Sequence, residues 1–106
     1  MTKLSDECVL PQIARQSIAH GLTHAKPLEP DLDLYGGHLT EPGAVFVTLK
    51  IDGKLRGCVG SIEPQLPLIC DVSHNAYAAA FSDSRFHSLD TGELDRLRVS
   101  ISILGP

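Results

Sequence analysis

The sequence predicts an α+β fold: an antiparallel sheet that contains a hairpin over residues 44–60, with helices packed on the sheet. Three observations support this fold class. Two strand-like segments flank the turn dipeptide Asp52-Gly53, two other segments have apolar residues at helical spacing, and strands and helices do not alternate in a strict βαβ order. The hairpin requires at least one antiparallel pair of strands, which favours α+β over a parallel α/β architecture.

The first predicted helix covers residues 5–22, with Ser5 as its N-cap. Pro11 removes a backbone donor, so either the helix kinks there or it begins at Pro11. The next segment, 25–43, is rich in proline, glycine and acidic residues and is predicted to be a surface loop, although its apolar residues also suit a docking segment. The apolar positions that define the helix are Ile13, Ala14, Ile18 and Leu22.

The remaining elements are predicted from two patterns: the alternation of apolar and polar residues, and apolar residues at helical spacing. Strands are predicted over 44–50, 54–60 and 98–104, where apolar and polar residues alternate. A second helix is predicted over 67–81, and Asp90 with Glu93 predicts a capped helical turn. The core-facing residues of the second helix are predicted to be Ile69, Val72, Ala76, Ala79 and Ala80.

Composition narrows the class of protein. The 106 residues suit one domain, and 42% hydrophobic with 21% charged residues suits a globular core. A net charge of −4 argues against nucleic acid as the main partner. Three widely spaced cysteines argue against a disulfide framework and fit a reducing compartment. No signal peptide or membrane-spanning segment is recognised, so we expect a cytoplasmic protein.

The hairpin register determines which residues surround Cys58. A two-residue Asp52-Gly53 loop pairs Val47 with Cys58 and Leu49 with Arg56, which places Arg56 on the apolar face. A three-residue loop, 51–53, pairs Val47 with Gly57, Thr48 with Arg56 and Phe46 with Cys58. The second register separates apolar from polar residues better, so the sequence favours it.

In the favoured register, Arg56 and Cys58 share the polar face of the hairpin. A nearby cation favours the thiolate, which is the nucleophilic form of cysteine. Gly57 and Gly60 flank Cys58, and glycine inside a strand often marks close approach by a ligand or by backbone. We therefore predict catalytic roles for Cys58 and Arg56 and ligand binding at Gly57 and Gly60. The structural alternative is that Cys58 packs as a small hydrophobe and the glycines serve packing alone.

Two other groups of residues have weaker patterns. Asp83 and Arg85 follow the second helix, where they form either a structural ion pair or a site for an anionic ligand, and we include both among the predicted ligand-binding residues. The pairs Cys70/His74 and His20/His24 have helical i, i+4 spacing, but two ligands do not complete a metal site, so no metal is predicted. No cofactor is predicted either.

Three segments together resemble the AMMECR-type domain family, known in bacteria as AmmeMemoRadiSam system protein A. They are residues 43–49 (GAVFVTL), 55–61 (LRGCVGS) and 75–86 (NAYAAAFSDSRF). Val59 stands where the family motif has isoleucine, and His87-Ser88 follows where the family usually has prolines. The resemblance spans residues 6–104, nearly all of this single domain.

The resemblance implies a domain that continues past residue 106, so we expect this chain to be the N-terminal portion of an incomplete domain. It also implies a pathway shared with Memo-like and radical-SAM proteins, without naming a reaction. Two functions stay open: a cysteine-dependent enzyme acting on a small anionic substrate, and a non-catalytic module that binds a protein or a small ligand. We predict no membrane partner.

Overall fold

The structure is a computed structural model that describes residues 6–104, with side chains described for residues 9–104. Its elements in chain order are α1 (Asp6–His24), β1 (Val45–Ile51), β2 (Lys54–Gly60), α2 (Leu68–Phe81), α3 (Thr91–Leu94) and β3 (Leu97–Ile103). The strands form one antiparallel sheet in the order β2-β1-β3, and the helices pack on it. The predicted α+β class is confirmed.

Helix α1 runs through Pro11, so the alternative start at Pro11 is wrong. Pro11 lies near the beginning of the helix, where its missing donor removes a single bond of the ladder. The predicted cap Ser5 lies outside the described residues. The segment after α1 contains two short 3-10 turns, Leu32–Leu34 and Gly37–Leu39, before β1 begins. No helix in the described range is long and apolar enough to cross a membrane.

Helix α2 lies between α1 and the hairpin, with contacts to α1, β1 and β2. Every residue of its predicted stripe is buried, which confirms the helical spacing read from the sequence. The stripe packs against the buried side chains of β1 and α1 to form the core. Those core partners are Val45, Val47 and Leu49 on β1 and Leu10, Ile13, Ala14 and Ile18 on α1.

The predicted three-residue hairpin loop is wrong. Asp52 and Gly53 form a two-residue loop with φ of 53° and 79°, and Ile51 pairs with Lys54. Two consecutive positive φ values are the signature of the type I′ turn, whose twist matches the flanking strands. The charge of Arg56, which counted against this loop in the sequence, is instead accommodated by a β-bulge.

The bulge changes the register of β2 on the far side from the turn. Lys50 pairs with Leu55 but Leu49 pairs with Gly57, so Arg56 is the extra residue. Thr48 then pairs with Cys58, where the favoured register had paired Thr48 with Arg56. Neither register considered from the sequence therefore persists along the hairpin, because a bulge at one residue shifts all later pairs.

One face of the sheet bears the helices, and we call the opposite one the outer face. Its cross-strand rows follow from the pairing: Gly60, Phe46 and Ser102 in one, Cys58, Thr48 and Ser100 in the next, and Leu55, Lys50 and Arg98 in the third. The favoured register places Arg56 on the polar face and would therefore turn its neighbour Leu55 toward the core, but Leu55 is 40% exposed on the outer face. In the part of the chain that the structure describes, no helix packs over this face.

Candidate functional site

The half-buried Cys58 lies on the outer face opposite Thr48. The Cys58 thiol is 3.4 Å from the Thr48 hydroxyl, within hydrogen-bond distance for sulfur. Thr48 belongs to the polar face predicted from the sequence, but the wrong register hid its pairing with Cys58. A thiol that is partly accessible and beside a hydroxyl can react with solutes that reach the face.

Asp83 binds the outer edge of β2 beside Cys58. The Cys58 amide points away from β1 and donates to Asp83 Oδ2 at 3.1 Å. The same carboxylate accepts from Arg85 Nη2 at 2.7 Å and from Arg85 Nε at 3.0 Å. The hydrogen bonds from the Arg85 side chain and amide, and then from Cys58, hold the pKa of Asp83 well below its usual range. Asp83 therefore fixes the position of Arg85 relative to Cys58.

Asp83 links Arg85 to the Cys58 backbone, which makes Arg85 the cation near Cys58 at this edge. Its side chain is 56% exposed, while the Asp83 side chain is only 7% exposed. The hydrogen bond to Asp83 raises the pKa of Arg85, and attraction to Cys58 adds to this rise. The interpretation of Asp83 and Arg85 as an ion pair is correct, and the pair adjoins Cys58, as the ligand-binding interpretation also requires.

Arg56 does not share the outer face with Cys58, so this prediction is wrong. Its side chain is buried and forms an ion pair with Glu93 of α3, with Nε 2.8 Å from Oε2. Nη2 donates to Glu93 Oε1 at 3.1 Å and to the His87 carbonyl at 2.7 Å. The bulge turns Arg56 toward the side of α3, because it inserts one residue between the outer-facing Leu55 and Cys58.

The Arg56–Glu93 pair is held on several sides. The bond from Arg56 lowers the pKa of Glu93 to about 2, against the opposing effect of burial. Glu93 also completes the predicted capping box with Asp90, which is confirmed. Phe86 packs near both arginines, with its ring centroid 5.7 Å from Arg56 Cζ and 5.4 Å from Arg85 Cζ. Arg56 Nη1 is buried with no hydrogen-bond partner among the described residues.

The two predicted ligand-binding glycines meet the protein's own atoms. A Cβ at Gly57 would collide with the Ala79 carbonyl of α2, and one at Gly60 would collide with the Phe46 ring. Both glycines therefore allow close packing, which supports the structural alternative for them. Gly60 also lines a surface cleft, so ligand binding at these residues stays a prediction.

The cleft beside Gly60 has a volume of about 620 Å³ and contains a polar network that the sequence analysis missed. Buried Asp71 accepts from the Val45 amide at 2.9 Å and from the Ser61 hydroxyl at 2.7 Å. Asn75 donates to the Val45 carbonyl, to Ser61 and to Asp71. These bonds satisfy the backbone where β1 begins, which is a structural role. The sequence signal for this network was the pair Asp71 and Asn75, two polar residues four positions apart beside the apolar stripe of α2.

The histidines of the two pairs considered as metal ligands make other contacts. His74 bonds Glu29 at 2.6 Å, and the His20 and His24 rings stack at 4.2 Å. Burial, followed by repulsion from Glu29, raises the pKa of the Cys70 thiol. Among the described side chains, His87, Asp90 and Glu93 form a group of three that could hold a metal ion. Glu93 in that group already neutralises Arg56, so a cation there would compete with the guanidinium.

Comparison with known proteins identifies the family. The AMMECR1 family model matches residues 11–106. A protein of Aeropyrum pernix is 43% identical over 95% of this chain and 44% of its own length, and one of Methanothermobacter thermautotrophicus is 41% identical over 92% and 50%. The crystal structure of the uncharacterised protein PH0010 from Pyrococcus horikoshii superposes with a TM-score of 0.84 at 35% identity, covering 92% of this chain and 50% of that protein. The chain thus spans about half the length of these relatives, and it belongs to the AMMECR1 family.

Proposed function

We propose that this chain contributes a cysteine-dependent site for a small anionic substrate, with Cys58 as the nucleophile and Arg85 as the neighbouring cation. One observation carries the proposal: the Asp83 carboxylate binds both the Cys58 amide and the Arg85 guanidinium. The Arg85 guanidinium, paired with Asp83, is thereby held near a half-buried thiol on an open sheet face. Cations near a thiol favour the nucleophilic thiolate.

Arg56 has a different role in this proposal from the one expected from the sequence. Because its donors reach Glu93 and the His87 carbonyl, we assign it to positioning the segment that carries Phe86 and Arg85. The link to Memo-like and radical-SAM proteins and a cytoplasmic location belong to the same proposal. Both rest on the family resemblance and on the free thiols Cys58 and Cys70.

The test is the rate of Cys58 alkylation by iodoacetamide as a function of pH, with each cysteine followed separately by peptide mass spectrometry. We expect Arg85→Ala to slow the alkylation of Cys58 across this pH range and Arg85→Lys to restore the rate in part. Cys70 provides an internal control, since it lies beside Glu29 rather than an arginine. An unchanged Cys58 profile in Arg85→Ala would contradict the proposal.

A second candidate is a non-catalytic binding module in which Cys58 is passive. It is favoured by the partner of the thiol: among the described residues, the Cys58 sulfur bonds the Thr48 hydroxyl, and no histidine or carboxylate reaches it as a base. The exposed Phe46 and Leu55 on the same face suit a docking surface. In this case Cys58→Ser would leave binding of a captured partner intact, whereas Arg85→Ala would weaken it.

A further inference from the structure

Lys50 and Arg98 form a like-charge pair on the outer face. They are directly opposite each other on β1 and β3, and both are exposed. Directly opposed like charges destabilise a sheet unless another group compensates them. Between residues 9 and 104, neither side chain forms an ion pair with an acidic residue, whereas Arg56, Arg85 and Arg96 all do.

The pair is one row from the thiol. The next row contains Cys58, Thr48 and Ser100, about 7 Å away along the strands. This row offers hydroxyl donors from Thr48 and Ser100, next to the two cations. Arg85, which is paired with Asp83, approaches the same row from the edge of β2, where Asp83 accepts from the Cys58 amide.

We propose that the outer face binds a small molecule carrying a phosphate group, with Lys50 and Arg98 neutralising the phosphate and Ser100 and Thr48 donating hydrogen bonds. A phosphate monoester fits because it brings up to two negative charges and three acceptor oxygens to two adjacent cations and neighbouring hydroxyls. The rest of the molecule would extend along the strands toward Cys58. This inference rests on the proposed function and specifies its substrate class.

Two alkylating reagents of the same chemistry but different charge provide the test. Iodoacetate is an anion and iodoacetamide is neutral. The ratio of the iodoacetate rate to the iodoacetamide rate at Cys58 therefore reports local attraction of anions, and the iodoacetamide rate alone reports the reactivity of the thiol. We expect the ratio at Cys58 to exceed that of free glutathione and to fall about threefold or more in Lys50→Gln and in Arg98→Gln. Any change in the reactivity of the thiol itself alters both rates equally and therefore cancels in the ratio.

Lys54→Gln is the matched control. It removes the same charge from the same hairpin, but Lys54 pairs with Ile51 and lies outside the row. A second arm compares phenyl phosphate with acetate at equal ionic strength, and we expect phenyl phosphate to slow iodoacetate labelling of Cys58 much more strongly. Chemical-shift changes at the amides of Lys50, Arg98 and Ser100 should locate the phenyl phosphate, and they should persist in Cys58→Ser.

The outcomes separate this inference from the proposed function. A ratio equal to that of glutathione, an equal loss in Lys54→Gln, or equal protection by acetate would each overturn the phosphate site. A different outcome is that Arg85→Ala leaves iodoacetamide labelling of Cys58 unchanged while phenyl phosphate still binds to Cys58→Ser. That result would overturn the catalytic role of the thiol and leave the phosphate site as a binding site.

Discussion

Arg56 shows how one residue determines the geometry of the hairpin. It is the extra residue of the bulge, and its charge is buried against Glu93 rather than exposed beside Cys58. A buried charge requires a partner, since desolvation of an unpaired ion costs several kcal/mol. The bulge and the ion pair therefore depend on each other: the bulge moves Arg56 off the outer face, and Glu93 compensates its charge.

Replacing Arg56 with alanine should destabilise the fold strongly. Truncation leaves the partly buried Glu93 without its main partner and opens a gap where the Arg56 side chain was buried, for which we expect a loss of about 3 kcal/mol in the free energy of unfolding. Urea denaturation measures the change. Arg96→Ala is the matched control, because Arg96 and Asp52 form an equally short but exposed pair, for which we expect less than about 1 kcal/mol. Equal losses in the two variants would refute a special role for the buried pair.

At the scale of elements, two glycines allow β2 to contact its neighbours closely. Gly57 lies against a backbone carbonyl of α2, and Gly60 lies under the Phe46 side chain of β1. A backbone carbonyl inside a helix cannot move without displacing the helix, whereas an aromatic ring that is 37% exposed can rotate away. An added methyl group therefore clashes with rigid backbone at Gly57 but with a movable side chain at Gly60.

Gly57→Ala should accordingly destabilise the protein more than Gly60→Ala. We expect about 1–3 kcal/mol for overpacking at Gly57 and a smaller loss at Gly60. Thermal unfolding of the two variants measures the difference, and each serves as the control for the other. Equal unfolding temperatures, or the reverse order, would contradict the close contact between β2 and Ala79.

Strand β3 has a free edge within the described residues. The Leu104 amide donates to the Ala44 carbonyl. In an antiparallel ladder every second residue of a strand bonds the same neighbour, so the amides of Ser102 and Ser100 also point toward β1. The amides of Val99, Ile101 and Ile103 point away from β1. On β2 the corresponding outward amide of Cys58 is capped by Asp83, which protects that edge.

Hydrogen exchange should therefore alternate along β3. We expect slow exchange at Ser100 and Ser102 and fast exchange at Val99, Ile101 and Ile103, measured by NMR in dilute protein. Cys58 serves as the comparison, because its outward amide should exchange slowly in the wild type and faster in Asp83→Ala. Slow exchange at all five β3 residues would show that another strand covers the edge.

The sequence predicted elements better than it predicted contacts between them. Apolar spacing located α2 and its buried stripe, and the Asp90/Glu93 pattern identified the capping box, because both depend on local geometry. The bulge at Arg56 was not predictable in this way, since it depends on Glu93, 37 residues away. The same long-range dependence hid the pairing of Cys58 with Thr48 and the approach of Asp83 and Arg85.

At the scale of the whole molecule, the two faces of the sheet serve different purposes. The helix-bearing face forms the core, and its polar groups are paired with one another in the Asp71 and Arg56 networks. The outer face bears two exposed cations, Lys50 and Arg98, that form no ion pair within residues 9–104, next to the hydrogen-bonded Thr48 and Cys58. Stability and the proposed chemistry are thus assigned to opposite faces, which allows variants of one face to be tested without unfolding the other.

The stability of the whole fold should depend on acid through Glu93. The folded pKa of about 2 lies below the usual 4.5, so between these values the unfolded chain binds more protons than the folded chain. The stabilisation is therefore complete above about pH 4.5 and is lost as the pH falls toward about 2. Asp83 contributes in the same direction, since its pKa is also lowered.

Urea denaturation near pH 6 and near pH 3 tests this dependence. Wild-type protein should lose stability on acidification, and Glu93→Gln should lose distinctly less, because glutamine cannot take up a proton in this range. Glu63→Gln is the control: Glu63 is exposed and forms no hydrogen bond within residues 9–104, so this variant should follow the wild type. Parallel losses in the wild type and Glu93→Gln would show that the acid sensitivity arises elsewhere. A smaller loss in Glu93→Gln alone would identify the Arg56–Glu93 pair, which holds the bulge beside Cys58, as the acid-sensitive part of the fold.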